Sequence, residues 1–192
     1  MTTIPSSALS RLATAVAILL AATSLTAQGP GQPPARPKAG PVISPFGATY
    51  AVPGTALMLA AETDYKVKFD VSAGQSDPSA VNAGIDSVAR FINMHVRAGV
   101  PLPRLQAALV LHGSAARDAL GHAGYRARFG VDNPNLALLE ALARAGVRIY
   151  LCGQSASARG LGWEEVAPVA KIALSAMTAH AVLAQEGYST NP

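Results

Sequence analysis

The stretch Leu105–Leu111, LQAALVL, does most to limit what this chain can become. Its apolar residues run on without alternation, so as a strand it has no face to give to water and must be covered on both sides. A sheet covered on both sides needs helices above and below it. That requirement selects an α/β architecture in which strands and helices alternate along the chain.

The flanking sequence supplies the alternation. YKVKFDV (Tyr65–Val71) sets Val67, Phe69 and Val71 against Lys66, Lys68 and Asp70, which predicts a strand with one wet face or an edge strand. Next comes a helix with Asp77 as cap, Pro78 in its first turn and Gly99 as its stop. Val81, Ile85, Val88, Ile92 and Val96 form its apolar stripe. After LQAALVLHG a short helix is expected over Ser114–Leu120, followed by GHAGYRARFG as a glycine- and arginine-rich solvated loop. Asn133 and Pro134 open a further helix that ends at Gly146, and VRIYLC (Val147–Cys152) is the next strand. WEEVAP reads as a turn, VAKIAL as a strand, TAHAVLAQEG as a last helix and YST as a terminal strand. The expected fold is a three-layer α/β/α sandwich around a mostly parallel sheet of about five strands.

The first residues stand apart from this pattern. Arg11 followed by LATAVAILLAATSLTA has the form of a secretory signal, with residues 1–27 removed by a cut after Ala27 or near Ser24. The alternative is an uncleaved N-terminal membrane anchor. Export implies the periplasm of a Gram-negative bacterium, with no stable membrane insertion after cleavage. Residues 28–47 are rich in Pro and Gly and predict a linker or surface arm, with PVISPFGATYAV docking on the body. Residues 48–192 form the single domain. The 15 Lys and Arg are scattered against 11 Asp and Glu, without the basic cluster that a nucleic-acid surface needs.

Chemistry in an open parallel sheet gathers beyond the carboxyl ends of the strands. Two residues fall there: Cys152, the only cysteine, ends VRIYLC, and His112 ends LQAALVLH. After Cys152, the run Gly153-Gln154-Ser155 can start a helix whose first amides point back at the sulfur and favour a thiolate. Arg159 adds a positive charge two turns on, and His112 is a candidate proton relay. Gly113, Asn133, Gly153, Gln154 and Ser155 complete the candidate binding positions, although Asn133 reads first as a helix cap. No metal-ligand spacing, GxSxG elbow, Walker loop or dinucleotide fingerprint is present, so no metal or cofactor is expected.

NPNLALLEALARAGVRIYLCGQSASARGL, followed by KIALSAMTAHAVLAQEGY, resembles the DsrE/DsrF-like family of sulfur-relay proteins, and within it the exported branch. KFDV, VNAGIDSVARFINMHV and LVLHG fit the same branch, so the resemblance spans about Tyr65 to Tyr188. It implies a three-layer domain assembled into trimers or hexamers, and a role in moving sulfane sulfur between donor and acceptor proteins. It also implies that Cys152, at the spacing to Ala158–Gly160 seen in the relay members, carries a persulfide. A second reading stays open, in which the protein is a non-catalytic oligomeric binding module and Cys152 is structural.

Overall fold

A computed structural model describes residues 36–53 and 62–191. The expected signal segment, residues 1–27, lies outside the described residues, as does most of the expected linker. Among the described residues no helix is long and apolar enough to cross a membrane.

Five parallel strands form one sheet: β1 (Tyr65–Val71), β2 (Leu105–Leu111), β3 (Arg148–Cys152), β4 (Ala170–Ala173) and β5 (Ser189–Asn191). Their order across the sheet is β4-β3-β2-β1-β5. The helices are α1 (Ala83–Arg97), α2 (His122–Phe129), α3 (Leu136–Arg144), α4 (Gly153–Ala158) and α5 (Ala176–Gln185). From β1 to β4 the chain steps across the sheet in one direction. Right-handed crossovers then put α1 and α3 on the same face. The return from β4 to β5 runs the other way, so α5 lands on the opposite face. The direction of travel thereby creates the third layer.

The two faces differ in content. Phe69, Val71, Leu109, Leu111, Ile149 and Leu151 meet Ile85, Val88, Ile92, Leu138, Leu139 and Leu142 in the main core. Under α5 the buried set is smaller: Ala108, Val110, Cys152, Ala176, Ala179, Leu183 and Tyr188. The even-numbered β1 residues Lys66, Lys68 and Asp70 share that second face, as strand alternation requires.

Several local expectations change. The alternating strand β1 is not an edge strand; it lies between β2 and β5, and its Lys68 is only 5% exposed. On its polar face Lys68 is buried, Lys66 is half-buried and Asp70 stays exposed. Asp77 caps only a tight turn, accepting from the Ser79 amide, while Asn82 caps α1 by accepting from the Gly84 amide. The Gly121–Gly130 stretch is not a loop. It forms α2, because Tyr125 buries its ring, gives its hydroxyl proton to the Pro78 carbonyl and packs on Phe129. Arg126 pairs with Asp132 and Arg128 with Glu165, which holds the polar side of this helix in place. The arm does dock: Ile43 is 1% exposed, and the Asn93 side chain bonds the backbone of Val42, Ile43, Phe46 and Gly47.

Candidate functional site

The carboxyl ends of β2 and β3 bring the two main candidates together. Leu111 pairs with Leu151, so His112 and Cys152 occupy the next step of neighbouring strands. Parallel alternation puts both side chains on the α5 face, roughly 5 Å apart at the backbone. Among the described residues no hydrogen bond joins them.

Cys152 is the terminal residue of β3 and also the cap of α4. Its sulfur accepts the Ser155 amide at 3.4 Å. Burial alone pushes the thiol up. Donation from the Ser155 hydroxyl and from the amides of Ser155, Ala176 and Gln154 outweighs burial and pulls it below the ordinary thiol value. Gln154 and Ser155 belong to the first turn of α4, and Ala176 opens α5. Two helix starts therefore converge on one sulfur, each with unpaired amides and the positive end of its dipole. Ser175 completes the second start by capping the Thr178 amide at 3.0 Å.

Gly113 ties this arrangement together. Its amide donates to Ser155 Oγ at 3.0 Å, which leaves the Ser155 hydroxyl proton free for the sulfur. Its carbonyl accepts from Arg159 Nε at 2.6 Å. Gly113 has φ +51°, and a Cβ there would lie 2.6 Å from the Ser72 carbonyl oxygen, so only glycine fits. Arg159 thus reaches the site through Gly113, and it is not among the groups that lower the Cys152 thiol. Gly153 is also needed for close approach, since a Cβ would stand 2.9 Å from the Ala173 carbonyl oxygen. Gln154 sits at the exposed rim and reaches the Leu174 carbonyl at 3.5 Å.

Asn133 lies apart from the sulfur. It is buried and donates to the carbonyls of Asp118 and Leu120, while accepting from the Asn135 amide. The cap residue of α3 is Asn135, whose side chain instead accepts from the Asn82 amide. Asn82 in turn donates to Asp118, whose carboxyl burial pushes above the usual range. This polar cluster holds chain segments together on the α1 side.

Two residues join the site that sequence reasoning did not place there. His112 Nε2 stands 2.7 Å from Asp70 Oδ1, and His180 Nε2 stands 3.1 Å from the same oxygen. Both nitrogens are shut off from solvent, and neither contact is aligned as a hydrogen bond. Lys68 Nζ donates to the His180 carbonyl at 2.9 Å. The only sequence signal for Asp70 was its place on the polar side of β1. His180 gave none, since only the fold lays α5 across the sheet. Among the described residues no group of three or more His, Cys, Asp or Glu is arranged to hold a metal ion. A cleft of about 590 Å³, lined by Lys66, Leu105, Arg148, Glu186 and Tyr188 among others, opens at the amino ends of the strands. It is at the wrong end of the sheet to serve Cys152.

No curated protein matches the chain. A solved structure of a protein of unknown function from Methanobacterium thermoautotrophicum is similar, at 16% identity and a TM-score of 0.48, over 67% of this chain and 98% of its own. The DsrE/DsrF-like family model matches residues 66–190, which takes in all of β2–β4, α1–α5 and the whole cysteine site. The chain belongs to the DsrE/DsrF-like family.

Proposed function

We propose that this protein relays sulfane sulfur through a persulfide on Cys152. The observation that carries the reading is the convergence of two helix starts and the Ser155 hydroxyl on that one sulfur, with the thiol drawn below its ordinary value. A thiolate is the nucleophile of sulfur exchange, and a lowered pKa raises its fraction near neutral pH. Cys152 attacks the outer sulfur of a persulfide donor. The new S–S bond forms on Cys152 as the donor's S–S bond breaks, and the donor leaves as a thiol. No net oxidation occurs. The same amides then hold the terminal anion until an acceptor thiol removes the outer sulfur.

Family membership supports a sulfur-relay role. The resemblance to the exported branch extends the proposal to a periplasmic protein whose leader, residues 1–27, is removed, with an N-terminal anchor as the alternative. It also extends it to a trimer or hexamer of this chain, served by donor and acceptor proteins. Ile172, Leu174, Met177 and Val182 are exposed along β4 and α5, and Met177 is 80% exposed, which suits burial at a subunit contact. Within the site, His112 handles the proton, and Arg159 acts by fixing Gly113.

One observation favours the second reading, a binding module with a structural cysteine. Cys152 is only 4% exposed and packs with Val110, Ala176 and Ala179. Incubation of the native protein with polysulfide, followed by mass spectrometry of the Cys152 peptide, separates the two. Gain of one sulfur atom, reversed by reductant, is expected. A Cys152 that stays free of added sulfur yet remains open to alkylation would rule out the relay.

A further inference from the structure

We infer that Asp70 is a positioning residue for the Cys152 site, holding His112 and His180 in one protonation pattern around a single carboxylate oxygen. This deepens the sulfur-relay reading and rests on it for the identity of the substrate. The geometry stands without that reading.

Two ring nitrogens approach Asp70 Oδ1, His112 Nε2 at 2.7 Å and His180 Nε2 at 3.1 Å. Facing lone pairs would repel at such distances, so a proton on each Nε2 is the favoured arrangement, with neither N–H aligned as a full hydrogen bond. In that arrangement Asp70 favours the ring form with the proton on Nε2, and Nδ1 is the basic atom of each ring. This is the orienting role that a carboxylate plays for an imidazole beside a nucleophile, here from an Asp70 side chain that is 43% exposed. His112 is the ring next to Cys152 across the sheet, and His180 is carried on α5, the helix whose first amide reaches the same sulfur. One carboxylate thus links β1, β2 and α5 around the thiol.

The groups facing this cluster are few. Lys68 and Asp70 come from β1, His112 from the end of β2, Tyr150 and Cys152 from β3, and His180 from α5. The ammonium of Lys68 is used by the His180 carbonyl, which ties the middle of α5 to the sheet. Asp70 is the one carboxylate in this set.

The chemical step balances with these residues alone. His112 Nδ1 takes the Cys152 proton as the thiolate attacks the outer sulfur of a persulfide. As the donor's S–S bond breaks, the leaving thiolate takes that proton back from the imidazolium. His180 keeps Asp70 in register by approaching the same oxygen from α5.

Long-range proton–nitrogen NMR of the histidine rings, combined with iodoacetamide kinetics on the native protein, tests this. In the wild type, His112 and His180 should both show the Nε2–H form. Asp70→Asn should mix the forms of both rings and slow Cys152 alkylation at neutral pH about tenfold, less than the roughly hundredfold or more of a direct acid–base group because Asp70 acts through His112. Asp70→Glu should restore part of the rate and the ring pattern. His180→Gln gives a milder check, disturbing His112 while leaving the thiol in place. Unchanged ring forms and an unchanged alkylation rate in Asp70→Asn, with the fold intact by circular dichroism, would overturn the inference. Neither readout requires sulfur transfer. Failure of Cys152 to take up sulfur, with both readouts as expected, would sink the relay and leave Asp70 in its role.

Discussion

The two faces of the sheet are built from opposite materials. The α1–α3 face is closed mainly by large branched side chains, whereas the α5 face buries alanines, one valine, one leucine, one tyrosine and the cysteine. The first face supplies burial, which is where most folding free energy arises. The second gives up some of that burial. In exchange, it gains room for Lys68, Asp70, His112 and Cys152 to sit together under one helix. Stability and chemistry are thereby segregated by the direction in which the chain crosses the sheet.

Paired substitutions in β2 are the strongest way to break this contrast. Leu109→Ala should cost about 3 kcal/mol, in the usual range for a fully buried leucine. Its neighbour Val110→Ala, beneath α5, should cost about 1–2 kcal/mol, since fewer methyl groups are lost among small neighbours. Denaturant titration measures both, and equal losses would contradict the division. The alkylation rate of the folded Leu109→Ala protein should match wild type.

The arm offers the next test. Asn93→Ala strips buried hydrogen bonds from Val42, Ile43, Phe46 and Gly47, and should cost about 2 kcal/mol. Proteolysis should then cut within residues 36–53 first, with thiol reactivity unaltered. Lys68→Met, on the other face, should change stability by about 1 kcal/mol or less, because a methionine fills the same space while the His180 carbonyl loses a charged donor. Its larger effect should be on His180.

The two faces should also answer pH with opposite sign. Asp118 has a raised carboxyl pKa, so the folded protein keeps its proton longer than the unfolded chain. Stability should fall as pH rises from the ordinary aspartate value through the raised one, then level off. Cys152 has a lowered thiol pKa. Its contribution should be absent below the folded value, grow as pH rises through it, and be complete above the ordinary thiol value. Cys152→Ala should remove the alkaline rise alone, and Asp118→Asn the acid slope alone, when unfolding is followed across pH.

Much of the sheet was legible because apolar runs and glycine stops are local signals. Leu105–Leu111 and Arg148–Cys152 read as strands directly, and their shared register put Cys152 beside His112. Helix α2 was not legible, since GHAGYRARFG has no apolar stripe; buried Tyr125 and ion pairs to Asp132 and Glu165 hold it. The Ser155 amide on the sulfur followed from sequence adjacency. The Ala176 amide, Asp70 and His180 did not, because they arrive from strands and a helix far along the chain. Helical spacing points Arg159 at the thiol, but past the short α4 it donates to the Gly113 carbonyl instead.

The central claim is that the fold stabilises an anionic sulfur at Cys152. The pH dependence of Cys152 alkylation, in the wild type and in Ser155→Ala, tests it most directly. The account predicts a wild-type midpoint below the ordinary thiol value, and an upward move in Ser155→Ala as the hydroxyl donor is lost while the amides of Gln154, Ser155 and Ala176 remain. A wild-type midpoint at or above that of an unfolded cysteine peptide, unmoved by Ser155→Ala, would contradict it.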